Sequence, residues 1–243
     1  MAERLQLDSG ALLDARGAAW FAAEGALAVS DLNFGFTATG GLRGPLGMAP
    51  GPDDLAFRLA ELLADYHPVC TVVFGDLVPA GGESPMIENA VKTLVATVAC
   101  YGSLVVVTPN PDARMAPLKK RWSLNLETVP QYETGRLLFV SGLDDSPPPA
   151  GAVAAAAAEG RLRVIGGQRP EVALPQPGAT KQRHPCFVAT PTRLLLPAFA
   201  AAGGNDIRGE QLAGLLAGEG DQTRVLAIAG QRLLPVPWKL DQG

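Results

Sequence analysis

Short apolar runs alternate with stretches of helical periodicity along the first half of the chain. Three runs have the length and composition of buried strands: Leu27–Val29, residues 71–75 and Leu104–Val107. Two stretches between them repeat their apolar residues with the helical period, at Asp53–Asp65 and from Ser84 to Tyr101. Strands that alternate with helices over short connections predict a parallel sheet with right-handed crossovers.

The second half of the chain has a different pattern, in which short apolar runs follow one another with few helical signals. Residues 1–25, interrupted by glycines, predict one or two short edge strands ahead of the Leu27 strand. Arg208–Gly218 predicts a helix within the second half. The later runs predict a second, more antiparallel sheet with strands at Leu137–Val140, Leu162–Ile165, Pro185–Ala189, Arg193–Pro197, Val225–Ala229 and Leu233–Val236.

Polar residues follow each of the three buried strands of the first half. Asp31 follows the first strand, Asp76 the second and Asn110 the third. Since the carboxyl ends of parallel strands meet at one edge of a sheet, these side chains are expected to converge there. An oxygen-rich cluster suits hard divalent cations and two-metal phosphoester chemistry.

Bulk composition describes an ordinary acidic globular protein. At 243 residues the chain is long enough for one α/β domain, or for one domain with a small appendage. Its net charge of −4 argues against wholesale nucleic-acid binding but leaves room for a local basic patch. Three scattered cysteines favour reduced thiols and a cytoplasmic location. Neither a signal peptide nor an apolar run of membrane-spanning length is expected.

Other catalytic arrangements have little support in the sequence. Ser30, Ser141 and the cysteines have no histidine close by in the sequence pattern, which makes a catalytic triad improbable. A phosphate-cradling Gly-x-x-x-x-Gly-Lys motif and a dinucleotide-binding fingerprint are both absent. The strand-end cluster is therefore the candidate site.

The strand-end motifs together resemble a known family. The series Ser30-Asp-Leu-Asn-Phe-Gly, Phe74-Gly-Asp76, Pro109-Asn-Pro-Asp112, Ser141-Gly142 and Gly166-Gly-Gln-Arg-Pro170 resembles the calcineurin-like metallophosphoesterases. The tail, with Pro185-Cys-Phe-Val and Leu194-Leu-Leu-Pro-Ala-Phe199 before Gly203-Gly204, is similar to the ligase-associated DNA-damage-response phosphoesterases. The resemblance covers roughly residues 10–210. It implies an α/β/β/α sandwich of two packed mixed β-sheets flanked by helices, formed by residues 1–243 as a single domain.

All five histidines of the family pattern are replaced in this chain. The replacements are Asn33, Pro111, Ser141, Gly167 and Arg169. Pro111 stands where the family histidine acts on the phosphoryl group, and proline can neither donate a proton nor stabilise charge. The positions of the vestigial site, kept or replaced, are Asp31, Asn33, Asp76, Asn110, Asp112, Ser141, Gly167 and Arg169.

Loss of the imidazoles changes the functional expectation. The resemblance then implies a catalytically inactive metallophosphoesterase-like protein without a cofactor, which binds partners as a scaffold in DNA repair. The alternative is an active phosphoesterase or nuclease that holds one Mn²⁺ or Mg²⁺ weakly through Asp31, Asp76 and Asn110. Without metal, the acids need another cation, and Arg169 is predicted to contact Asp31, Asp76 or both.

A basic run in the middle of the chain is the candidate nucleic-acid contact. It consists of Arg114, Lys119, Lys120 and Arg121, beside Trp122. These residues either form a solvated helix face or bind phosphates without sequence preference. The partners expected from the sequence are therefore DNA-repair proteins or nucleic acid, and no membrane.

Overall fold

A computed structural model describes residues 1–34, 51–75, 77–78, 84–142, 160–176, 179–200, 204–209, 212 and 222–238. Within these ranges, the side chains at positions 52, 112–114, 176, 179 and 180 lie outside the described set. The described residues form two mixed β-sheets and three helices. None of the described helices combines the length and the apolar character needed to cross a bilayer.

The first sheet contains seven strands that lie in chain order. The strands are β1 (Arg4–Gln6), β2 (Ala11–Asp14), β3 (Ala18–Phe21), β4 (Ala26–Ser30), β5 (Cys70–Phe74), β6 (Ser103–Val107) and β7 (Glu127–Val129). Strands β1 to β4 pair antiparallel and β4 to β7 pair parallel. The prediction of one or two edge strands in residues 1–25 was wrong, because glycines with positive φ make tight turns at Gly10, Gly17 and Gly25 that allow three.

Three helices cover the outer face of the first sheet. They are α1 (Pro52–Tyr66), α2 (Pro85–Ala99) and α3 (Pro111–Trp122). Each begins with proline, whose missing N–H and fixed φ suit the first helical position. Ser84 caps α2 by accepting a hydrogen bond from the Ile87 amide at 3.3 Å, as its sequence predicts. The apolar helix faces pack on Leu27, Val29, Val73, Leu104 and Val106 of the sheet.

The second sheet contains nine described strands. They are β8 (Gln131–Thr134), β9 (Leu137–Ser141), β10 (Leu162–Gly166), β11 (Pro170–Gln176), β12 (Ala179–Ala189), β13 (Arg193–Leu195), β14 (Asn205–Asp206), β15 (Arg224–Ala229) and β16 (Arg232–Val236). Strand β12 is longer than the predicted Pro185–Ala189, because its polar first half pairs with β11. Most of the helix predicted at Arg208–Gly218 lies outside the described residues.

The two sheets pack face to face through alternating apolar side chains. Phe139 of β9 lies at the centre, where its ring contacts those of Phe21, Phe74 and Tyr132 at centroid distances of 5.9–6.0 Å. Gly166 at the end of β10 leaves room for Phe74, since a Cβ there would overlap the Phe74 side chain. This contact brings the carboxyl ends of β4, β5 and β10 to one edge of the sandwich.

Candidate functional site

Asp31 is the buried acid at the carboxyl end of β4. Only 2% of its surface is exposed. Its backbone N–H donates to the Phe74 carbonyl at 3.0 Å, and its carbonyl accepts from the Ala200 amide at 3.2 Å. These bonds hold Asp31 in a left-handed conformation with φ of 56°, which turns the chain sharply out of the strand. Asp31 therefore lies where the sequence predicts it, directly after a buried strand.

Both carboxylate oxygens of Asp31 have hydrogen-bond donors. The Ser30 hydroxyl donates to Oδ2 at 2.6 Å, and Arg169 Nε donates to Oδ1 at 2.8 Å. Ser30 Oγ in turn accepts a hydrogen bond from the Gly167 amide at 2.9 Å. The predicted contact between Arg169 and Asp31 is thus present, and it is a charge-assisted bond to a carboxylate shielded from water.

The segment after β10 places Arg169 beside Asp31. Gly167 has φ of 80° and Arg169 has φ of 48°, so the chain turns twice through the left-handed region. The Arg169 carbonyl accepts a hydrogen bond from the Asn205 amide at 2.9 Å, which fixes the turn from its other side. The side chain of Arg169 is 30% exposed, so its guanidinium lies between the buried acid and solvent.

Left-handed backbone is concentrated at this edge. The structure records five non-glycine residues with positive φ among those described. His67 and Ser123 are C-terminal caps, where this conformation is usual. The other three are Asp31, Asn33 and Arg169, all of them candidate site residues from the sequence. Such conformations cost free energy and persist where surrounding contacts enforce them.

The structure shows fewer contacts for the other residues of the predicted site. Asn33 is half-buried, Asn110 is exposed at the start of α3, and Ser141 is half-buried at the end of β9. The Asn110 side chain makes no capping hydrogen bond, and Ser141 Oγ is buried without a hydrogen-bond partner. Asp76 lies outside the described residues, and Asp112 is in α3 with its side chain outside the described set. No hydrogen bond links Asp31, Asn33, Asn110 and Ser141 within the described residues.

The basic run lies on α3. Lys119, Lys120 and Arg121 form its last turn, where positive charge also suits the helix dipole. Lys120 and Arg121 are exposed and Lys119 is half-buried. Arg114 is in the same helix with its side chain outside the described set.

Two further polar groups near this edge were not singled out from the sequence. Asp14, the last residue of β2, is fully buried and accepts hydrogen bonds from Arg16 at 2.7–2.9 Å and from the Tyr66 hydroxyl at 2.8 Å. Burial works to raise the pKa of Asp14, but the hydrogen bonds from Arg16 and Tyr66 outweigh it and lower that pKa. Ser30 is part of the sequence motif but was given no role there. A hydroxyl residue directly before a buried acid could have indicated the hydrogen bond to Asp31.

The described residues do not fit a two-metal centre. No group of three or more His, Cys, Asp or Glu side chains close enough to hold a metal occurs in the described part of the chain. The Asp31 carboxylate already binds a guanidinium, which would repel a divalent cation at that oxygen. Hydroxyl, amide and arginine side chains also supply none of the imidazole ligands that hold transition metals tightly.

Comparison with known proteins supports the fold. Neither protein-family models nor curated proteins yield a match to this chain. Among solved structures, it is similar to the crystal structure of the Pseudomonas putida nuclease MPE, with a TM-score of 0.68 and 19% sequence identity. The similarity covers 97% of this chain and 100% of that one. The two-sheet architecture of this chain is therefore similar to that of the nuclease, and at this identity the likeness shows the fold alone.

Proposed function

We propose that this chain is a metallophosphoesterase-like protein that has lost its two-metal site and acts by binding rather than by hydrolysis. The observation that supports this proposal is the Asp31 carboxylate, whose two oxygens accept from Arg169 and Ser30. A metal-activated water needs an acid free to bind the metal, and its phosphoester substrate needs a nearby proton donor. Here the acid is bound to a permanent cation, and Pro111 stands where the family places its phosphoryl-contacting histidine.

The proposal includes the whole chain as one domain and nucleic acid or a DNA-repair protein as its partner. A nuclease-type fold among its structural neighbours supports a surface shaped for nucleic acid. The last turn of α3 supplies the charge, through Lys119, Lys120 and Arg121. Contacts of this kind bind phosphates irrespective of base sequence.

Metal content and hydrolysis test the loss of the site. The chain is expected to purify without stoichiometric Mn²⁺, Fe²⁺ or Zn²⁺ by elemental analysis, even from medium supplemented with Mn²⁺. It is also expected to leave bis-p-nitrophenyl phosphate uncleaved when Mn²⁺ or Mg²⁺ is added. One bound metal per chain, together with turnover that Asp31→Asn abolishes, would instead establish the single-metal phosphoesterase.

Binding of nucleic acid is tested separately by fluorescence anisotropy with labelled single- and double-stranded DNA at low salt. Replacing Lys119, Lys120 and Arg121 together by alanine should weaken binding and reduce the slope of log K against log salt by about 2 to 3. Arg232→Ala, at a side chain that is 75% exposed on β16, is the matched control and should leave binding unchanged. Absence of binding to either DNA at low salt would favour a protein partner.

A further inference from the structure

A cavity of about 540 Å³ lies at the end of the sandwich opposite Asp31. Its walls are the turn between β1 and β2, the turn between β12 and β13, and the start of β15, so both sheets contribute to it. The strand register places it there, because Ala11 after the first turn pairs with Phe21, and Phe21 pairs with Ala26 at the start of β4. The volume is within the range of small-molecule sites in proteins.

Hydrogen bonds close both turns, so the cavity is formed before any ligand binds. In the first turn, the Gly10 amide donates to the Leu7 carbonyl at 3.0 Å. In the second turn, the Thr190 amide donates to the Arg193 carbonyl at 2.8 Å, and the Arg193 amide donates to Thr190 Oγ1 at 3.0 Å. A preformed site loses little free energy to ordering when a ligand binds.

The lining combines buried apolar residues with one charged pair at the rim. Leu7 and Ala189, each 6% exposed, form the buried part. Arg224 Nη2 lies 3.2 Å from Asp8 Oδ2, and these side chains are 62% and 91% exposed, so the cavity is open to solvent on this side. An exposed pair of this kind contributes little to stability, and either group can therefore exchange its partner for a ligand group.

These lining residues discriminate between classes of ligand. A simple anion or a simple cation would be attracted by one member of the charged pair and repelled by the other. None of the described residues that line the cavity is aromatic, so a nucleobase would find no ring to stack on. A zwitterion satisfies both charges at once, and an aliphatic body attached to it would cover Leu7 and Ala189.

We propose that this cavity binds an aliphatic zwitterion, either a free amino acid such as leucine or a short peptide of such residues. The ligand carboxylate would accept hydrogen bonds from Arg224, and the ligand ammonium group would donate to Asp8. The Thr190 hydroxyl, in a residue 6% exposed, accepts from the Arg193 amide, which leaves its hydrogen to donate to the carboxylate. Because the cavity and Asp31 lie at opposite ends of the strands, this site is independent of the proposed loss of the metal site.

Isothermal titration of the whole chain with L-leucine tests the class of ligand. We expect saturable binding of one leucine per chain, together with a rise in melting temperature. N-Acetylleucine lacks the ammonium charge and leucine methyl ester lacks the carboxylate, so each should bind about tenfold more weakly or worse. Glycine lacks the aliphatic body and should also bind more weakly than leucine. Leucyl-leucine distinguishes the two sources, since tighter binding than leucine assigns the cavity to a short peptide and weaker binding assigns it to the free amino acid.

Variants assign the binding to this cavity. Arg224→Met keeps the approximate length of the side chain and should weaken leucine binding by about tenfold or more, as should Asp8→Asn. Ala189→Leu should prevent binding by filling the buried part of the cavity. Because Arg224 and Asp8 are exposed, their variants preserve the test if the Ala189 variant does not fold.

Arg232→Met, at a side chain that is 75% exposed on β16, is the matched control and should bind leucine like the parent. The proposal is wrong if the parent shows no saturable response to either leucine or leucyl-leucine. It is also wrong if one of the two blocked derivatives binds as tightly as leucine, or if Arg224→Met binds leucine as tightly as Arg232→Met does.

Discussion

Replacement of Arg169 by methionine is the sharpest perturbation of the ion pair with Asp31. Methionine keeps the approximate length of the side chain but removes the donor to Asp31 Oδ1, which lies 2.8 Å from Nε. Since Asp31 is 2% exposed, water cannot replace the lost bond without opening the site. Among the described residues, the Ser30 hydroxyl would remain as the side-chain donor to that carboxylate, at Oδ2.

The expected cost follows from this geometry. Removing one partner of a fully buried ion pair costs about 3–5 kcal/mol. Because Arg169 is 30% exposed and Ser30 still donates to the carboxylate, we expect a smaller cost of about 2–3 kcal/mol. For a chain of this length, that loss lowers the melting temperature by about 4–12 °C.

Thermal and urea unfolding of the parent and variant measure the effect. Arg161→Met is the matched control, because Arg161 Nη1 lies 3.0 Å from Glu133 Oε2 while the two side chains are 36% and 50% exposed. An exposed pair of this kind contributes at most about 1 kcal/mol. If Arg169→Met melts with the parent, or loses no more stability than Arg161→Met, the ion pair does not compensate the buried acid and the reasoning is refuted.

Three further predictions concern other parts of the chain. Gly166→Ala should lower the free energy of unfolding strongly, because its Cβ would overlap the Phe74 side chain. A urea midpoint equal to that of the parent would contradict this, since it would mean that the strand shifts freely. Because the pKa of Asp14 is lowered in the folded state, its ionised form stabilises the fold at pH values above the unfolded pKa of about 3.9. The free energy of unfolding should therefore fall as the pH falls through the folded pKa, and it should depend less steeply on pH in Asp14→Asn. Cys100 is exposed and the other two thiols are buried, so Ellman's reagent should modify one thiol in the native chain and three in denaturant; fast modification of more than one would contradict the burial.

The pattern of apolar residues carried most of the information on the fold that is available from the sequence. The apolar runs predicted β4, β5 and β6, because these strands are buried on both faces, and the helical periodicity predicted the two longest helices, because their apolar faces pack on the outer face of the first sheet. Strand β11 and the first half of β12 were missed, since that half of β12 is largely polar and the two segments owe their conformation to pairing with each other. The spacing of the motif allowed Arg169 to be assigned to Asp31. The sequence did not predict that Arg163 lies beside Arg193, since an arginine in an apolar strand does not indicate which residue of the next strand is its neighbour.

A buried ion pair need not stabilise a protein relative to apolar residues of similar shape, and this separates two explanations of the Asp31–Arg169 pair. If the pair compensates a retained acid, Asp31→Asn should remove most of the need for Arg169, because the amide carries no charge. In that background Arg169→Met should cost at least about 1 kcal/mol less than in the parent. If the cost is the same in both backgrounds, Arg169 acts mainly through packing and through the turn that Asn205 fixes at its carbonyl. Urea unfolding of the parent, the two single variants and the double variant distinguishes the two cases.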